Sequence, residues 1–287
     1  MAKLTAYHLF VLIAVAYATI ITIFPLAFMV YGSFTNWRLD VSGMNWVGIK
    51  YYIDLIEDYR FYNSLRVTFL LTALAVPTEI VFGMILAHLM RLQIRFRRLF
   101  RTIFLIPLFC APVAVSLMGE VLFYEGGGPI NTVLNILGFG SIPWRSSPNV
   151  APLTVVLCDV WMWTPFCFLI TLAALEGIPK ELHEASIVDG ASSFQIFKSI
   201  DFPLISSPLI TILMFRVLDT IKIFDIPYTL VGGGGPGIAT EVMSIYIYKQ
   251  AFRDFTLGKA AATSVVFLVI IAIITSLFIR RLRKYYV

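Results

Sequence analysis

Residues 184–208 read EASIVDGASSFQIFKSIDFPLISSP, the longest polar interruption between two membrane-length apolar runs near the middle of the chain. The pattern predicts two short helices joined by a glycine. Pro179 suits a first helical turn, where its missing N–H would have no partner in any case. Lys180 to Asp189 continue that helix, and Gly190 stops it, because glycine enters the left-handed conformation without penalty. Ser192 offers an N-cap, and Gln195 three residues later completes a capping box. Pro203 and Pro208 mark the entry to the next apolar run. A loop that only crossed back would not need two capped helices, so residues 176–203 are expected to form a rigid docking surface.

The rest of the chain fits around this loop as membrane. Of its 287 residues 59% are apolar and only 14% are charged, with a mean hydropathy of +0.86. A soluble domain carries about a quarter charged residues. The expectation is an all-α integral membrane protein, one transmembrane domain over 1–287. Six runs reach the ~20 residues that a helix needs to cross a bilayer, near 8–31, 65–90, 101–123, 151–175, 204–226 and 260–281. Ala16-Tyr17-Ala18 imitates a signal cleavage site, but the apolar run continues to Val30, so the first run is expected to be an uncleaved helix.

With six spans, Lys3, Arg91, Arg95, Arg97, Arg98, Arg101, Lys180, Lys198, Arg280, Arg281, Arg283 and Lys284 share one side, twelve basic residues against seven in the opposite loops. Basic loops stay in the cytoplasm. Both termini and the Glu184 loop are therefore expected there. The net charge of +5 is accounted for beside the spans and calls for no nucleic acid. Trp37, Trp46, Tyr51 and Tyr52 are placed as interfacial anchors on the outer side.

The loop resembles the cytoplasmic loop of binding-protein-dependent ABC importer permeases. Their pattern is Glu-Ala-Ala, three residues, Gly, nine residues, Ile, any residue, Leu-Pro. Here Glu184, Ala185 and Ser186 are followed by Asp189, Gly190, Ile200, Phe202 and Pro203 at every expected spacing. Ser186 and Phe202 are the departures. The resemblance implies a type I ABC importer permease architecture whose loop enters a cleft of an ATP-hydrolysing subunit. It implies a second homologous permease, two such ATPase subunits carrying the ATP and magnesium, and an extracytoplasmic solute-binding protein. The residue Val231 stands where one carbohydrate-importer subfamily has a Thr before its Gly-Gly-Gly-Pro element. With one extra glycine, residues 230–240 and then Tyr246-Ile247-Tyr248 otherwise resemble that subfamily's external loop. The glycine run lacks the Gly-Lys-Ser/Thr ending of a phosphate loop and reads as a flexible turn.

No catalytic constellation is visible. His8, His88 and His183 are scattered, without metal spacing, and Cys110, Cys158 and Cys167 lie in apolar runs as packing residues. No internal repeat supports an inverted-repeat secondary transporter. The informative polar groups sit in the fourth and fifth runs. Asp159, Met162, Trp163 and Phe166 share one helix face, as do Arg216, Asp219, Thr220 and Ile223. Charges at membrane depth are expensive unless paired or facing a wet cavity. Two readings stay open: a sugar-binding surface, or a structural ladder in which Arg216, Asp219, Lys222 and Asp225 neutralise one another at i, i+3 spacing. In the maltose-type permeases sugar contacts come from the helices before and after the loop, and counted from Glu184 they fall on these eight positions. Glu79 is expected to pair with Arg216. The expected function is the permease subunit of an ATP-driven sugar importer, not itself an enzyme. The alternative is an ion-coupled secondary transporter with Glu79, Asp159 and Asp219 as carriers.

Overall fold

Apolar runs too long for strands become helices here because a backbone without water must bond within itself. The computed structural model describes residues 2–91 and 95–286, with side chains from Tyr7 to Arg280. The side chains of Lys3, Arg281, Arg283 and Lys284, counted above for orientation, lie outside the described residues. Thirteen α-helices follow in order: α1 (Ala2–Gly32), α2 (Lys50–Glu57), α3 (Tyr59–Arg91), α4 (Arg97–Leu105), α5 (Pro112–Leu122), α6 (Pro129–Ile136), α7 (Ala151–Glu176), α8 (Lys180–Val188), α9 (Ser193–Ile196), α10 (Phe202–Thr220), α11 (Asp225–Leu230), α12 (Met243–Phe252) and α13 (Leu257–Tyr286). A 3₁₀ turn covers Ile106–Phe109 and a π turn Phe197–Asp201. Among the described residues there is no strand, only an isolated bridge between Thr35 and Trp46.

Among the described residues five helices are long and apolar enough to cross a membrane. The third expected span is different. The run 101–123 is two helices, Arg97–Phe109 and Pro112–Leu122, bent by 99°. The cause lies in the sequence: a residue before proline is pushed out of the helical region, and Ala111 before Pro112 is extended at φ −66°, ψ 138°. The fifth run also stops early. The membrane helix ends at Thr220 and α11 starts at Asp225, because Pro227 has no N–H for the carbonyl four residues back.

The chain forms two units, residues 1–61 with 246–270 and residues 62–245 with 271–287. In the first, the N-terminus of α3 is capped by Asp58, whose Oδ1 accepts from the Arg60 amide at 2.9 Å. Its other oxygen accepts from the Tyr246 hydroxyl at 2.6 Å and the Lys259 ammonium at 3.0 Å. Gly258 donates to the Trp37 carbonyl at 2.9 Å, and a Cβ there would collide with the Thr35 carbonyl oxygen.

In the second unit, Val67, Leu71, Val155, Ile226, Leu230 and Ile245 belong to one buried core, and Ala87, Phe168, Leu172, Leu175 and Ile205 to another. Helices α3 and α7 touch backbone to backbone at Gly83, where a Cβ would lie 2.6 Å from that of Cys167 and 2.7 Å from the Phe168 amide nitrogen. Such close approach is how membrane helices gain dispersion energy when lipid offers no hydrophobic drive. The glycine run is not the loose turn expected: Gly233 donates to the Tyr228 carbonyl at 2.7 Å and the Thr240 hydroxyl to the Gly235 carbonyl at 2.6 Å.

Candidate functional site

The 176–203 loop is built largely as its residues dictate. Pro179 caps α8, Gly190 takes φ +76°, and its amide and that of Ala191 close onto the Ile187 and Ser186 carbonyls at 3.0 and 2.9 Å. Ser192 and Gln195 form the capping box, with Ser192 N to Gln195 Oε1 at 2.7 Å. The second helix is not short, however. It runs on through the π turn as one helix from Ser193 to Thr220, so Pro203 and Pro208 do not mark a break. Pro203 follows directly on the π turn, and such a local adjustment lets a membrane helix carry a proline in its interior.

Glu184, Ala185, Asp189 and Gly190 are exposed and Ser186 half-buried, its hydroxyl donating to the His183 carbonyl at 2.8 Å. Beside them Leu182, Ile187, Val188 and Phe194 are exposed as well, with Val188 at 86%. The loop thus shows both a carboxylate and bare apolar side chains on one exposed segment.

A cluster that the sequence did not reveal holds this loop. Asp201, buried at the end of the π turn, accepts from Arg91 Nη1 at 3.0 Å and lies 2.8 Å from His183 Nε2. His88 Nε2 stands 3.5 Å away, while its Nδ1 meets the Met84 carbonyl at 2.9 Å. Arg91 and His88 come from the end of α3 and His183 from α8, so one carboxylate gathers three segments. Histidines that look scattered are thus brought together. The only signal in the sequence was an acidic residue, Asp201, inside the Ile200-to-Pro203 element.

The membrane charges form a second cluster. Arg216 is wholly buried, and its guanidinium forks onto Glu79, Nε to Oε2 at 2.6 Å and Nη2 to Oε1 at 2.9 Å. Nη2 also reaches Asp159 Oδ2 at 3.1 Å and Nη1 reaches Asp219 Oδ2 at 2.6 Å. The Trp163 ring centre lies 4.3 Å from the guanidinium carbon, within cation–π range. Helices α3, α7 and α10 therefore meet around one cation. The expected pairing of Glu79 with Arg216 is what the structure has. Of the ladder only the first rung is present, Arg216 to Asp219: α10 ends at Thr220, and among the described residues neither Lys222 nor Asp225 takes part in an ion pair.

Asp159, Met162, Trp163, Asp219, Thr220 and Ile223 line one cavity of about 190 Å³. Arg216 stands behind it. Phe166 is not part of that lining but packs on Trp163 and Phe215, with ring centres 6.0 and 5.2 Å apart. Larger cavities of about 510 and 540 Å³ are almost wholly apolar, one beside α5 and α7, the other beside α3 and α4. They carry no charged side chain, and the Thr164 hydroxyl is the one side-chain oxygen in their linings.

With this geometry in view, the sequence profile described as "Binding-protein-dependent transport system inner membrane component" matches residues 79–286. The trehalose/maltose transport system permease protein MalF of Thermococcus litoralis is 33% identical over 238 residues, 83% of this chain and 81% of that one. The sulfoquinovosyl glycerol transport system permease protein SmoG of Agrobacterium fabrum is 33% identical over 267 residues, 92% and 86% of the two chains. Among solved structures, a bacterial ABC transporter involved in importing the acidic polysaccharide alginate superposes with a TM-score of 0.85 at 19% identity, over 99% of this chain and 96% of that chain. A second structure of an alginate transporter, in complex with alginate pentasaccharide-bound periplasmic protein, gives 0.83 at 18% identity, over the same shares of the two chains. The helices follow the fold of type I ABC importer permeases.

Proposed function

Because the chain belongs to the binding-protein-dependent transport system inner membrane component family, we propose that it forms half of the translocation path of an ATP-driven sugar importer. The observation that carries this reading is the loop. Glu184 and the apolar side chains around it are exposed while Asp201 holds the loop's base. That combination suits a surface held ready for the ATPase subunit. A second homologous permease, two copies of the ATPase and an extracytoplasmic solute-binding protein complete the assembly. ATP and magnesium belong to the ATPase, and this chain hydrolyses nothing. The termini and the loop face the cytoplasm, as the basic residues favour.

Closing of the ATPase pair draws the loops together and turns the cavity outward, where the binding protein releases its sugar. Reopening after hydrolysis turns it inward. The sugar rests against Asp159, Met162, Trp163, Asp219, Thr220 and Ile223, with Arg216 and Phe166 supporting them. Relatives named for trehalose/maltose and for sulfoquinovosyl glycerol favour sugar over other cargo. The fork of Arg216 on Glu79 argues against a free ion carrier there.

Glu184→Lys tests the reading in the assembled transporter. A charged hydrogen bond to the ATPase contributes ~1.5–3 kcal/mol, so transport-coupled ATPase should fall about ten- to hundredfold. The amount of chain in the membrane and the binding protein's own sugar affinity should not change. Full coupled activity in this variant would remove the loop from the mechanism.

A further inference from the structure

The cavity beside Trp163 has a charge balance that narrows what can enter it. Its lining carries three carboxylates, Asp159, Asp219 and Asp225, and one ammonium, Lys222. Behind them Glu79 and Arg216 add one charge of each sign and cancel. With every group ionised the site carries a surplus of two negative charges, and a proton held anywhere in it still leaves it negative. Arg216 has no fork left for a ligand, since Nε and Nη2 serve Glu79 and Nη1 serves Asp219. An ionised carboxylate only accepts hydrogen bonds.

A second observation marks the cavity as a binding site. Thr220 lines it, is only 2% exposed, and its hydroxyl oxygen has no hydrogen-bond partner. Buried hydroxyls are nearly always paired, and leaving one unmade costs ~1–3 kcal/mol. Threonines elsewhere in these helices, such as Thr68 and Thr72, bond the carbonyl one turn back at 2.7 and 2.8 Å. Thr164 and Thr171 on α7 are likewise without a partner, but of these three only Thr220 lines the charged cavity, where an entering hydroxyl group can meet it.

We propose that this cavity receives the hydroxyl-bearing edge of a neutral or amino-substituted sugar and turns away acid sugars. The proposal rests on the sugar-import reading and adds a sign to it. Neighbouring ring hydroxyls donate to Asp159 and Asp219 while one of them pairs with Thr220. An ammonium in place of a hydroxyl gains from the surplus charge. A uronate or sulfonate meets three carboxylates and only the exposed Lys222 to offset them. The volume of about 190 Å³ is below the ~300 Å³ at which sites for drug-sized ligands begin, so one ring of a longer sugar occupies it.

A thiol at Ile223 reads the sign directly, whatever the cargo. Ile223→Cys is made in a chain with Cys110, Cys158 and Cys167 replaced by Ala, assembled with its partners in proteoliposomes. It is then treated with trimethylammonium-ethyl and with sulfonatoethyl methanethiosulfonate. Low-dielectric clefts of one sign concentrate counter-ions about tenfold or more. The cationic reagent should therefore react at least ~tenfold faster than the anionic one, relative to the same ratio on free glutathione. Asp219→Asn with Asp225→Asn should bring the ratio back towards that of glutathione. Met162→Cys serves on another wall if Ile223→Cys fails to assemble. In parallel, ATP-driven uptake is compared for glucose, glucosamine and glucuronate and for the matching galactose set. Equal reagent rates, or uronates carried as well as their neutral partners, overturn the proposal while leaving sugar import in place. A strong cation preference in a transporter that carries no sugar at all would instead sink the import reading.

Discussion

Around Arg216 one guanidinium serves three carboxylates, whereas around Asp201 one carboxylate serves a guanidinium and two imidazoles. Both clusters draw on α3 and on the helix that starts at Ser193, and they use the same side-chain chemistry. The difference is which sign is in surplus and where it points. At Asp201 one oxygen takes Arg91 and His183, the other has His88 Nε2 at 3.5 Å, and the acid is buried between the segments it joins; it is a fastening. At Arg216 the buried cation makes four hydrogen bonds to three carboxylates, while Asp219 remains 39% exposed and faces a cavity. Unequal stoichiometry separates a closed fastening from a cluster open to a cavity even where each single contact looks alike.

Removing the shared ion should break the first cluster harder than the second. Arg216→Met leaves Glu79 and Asp159 buried without a cation, and uncompensated buried charge costs about 3–5 kcal/mol. Little assembled transporter should survive detergent extraction, as read by size-exclusion chromatography. Adding Glu79→Gln should restore part of it. A well-assembled single variant would show that these carboxylates do not depend on Arg216.

Asp201→Asn should act on the second cluster with less force. It keeps one acceptor oxygen but loses the charge, for ~1–3 kcal/mol. Opening of α8 should rise about five- to a hundredfold, seen as faster amide exchange over residues 180–190 with exchange in α7 unchanged. Unaltered exchange there would mean that α8 is held by its apolar contacts alone.

Asp58 provides an intermediate case, one acid shared by a phenol and an ammonium. Burial pushes its carboxyl up, but the hydrogen bonds from Tyr246 and Lys259 and the ammonium's charge outweigh this and leave it below the usual carboxylate range. A depressed folded pKa adds stability above the unfolded value, ~4, and loses it as pH falls through the folded one. Protection of the Arg60 and Phe61 amides, which donate to Asp58, taken relative to their intrinsic exchange rates, should therefore be steady near neutrality and fall only in acid. For a partly exposed group the change should be at most about fivefold. Asp58→Asn should flatten the profile.

The helices, the loop's glycine stop and its capping box were legible because each depends on residues within a turn or two. So was the Arg216 neighbourhood, since a charge at membrane depth has to find a partner and Glu79 was available. What could not be read arises over distance or from backbone geometry. Arg91 and Asp201 are 110 positions apart, and nothing local to either indicates the other. The 99° bend at Ala111 was present as Pro112, but hydropathy alone made 101–123 look like one span. The fusion of α9 with the membrane helix escaped notice because Pro203, usually a terminator, is carried inside the helix by the π turn before it, which no local residue pattern announces.

That fusion has a mechanical consequence. The helix from Ser193 to Thr220 is 28 residues long, which at 1.5 Å per residue makes a rod of about 40 Å. One end is the outgoing arm of the loop; the other carries Arg216, Asp219 and Thr220. For a rod of that length, a tilt of about 5° at the loop sweeps the far end through ~3–4 Å, more than the reach of any hydrogen bond made there. A push at the loop would thus arrive at the cavity as displacement, with leverage set by nothing more than helix length.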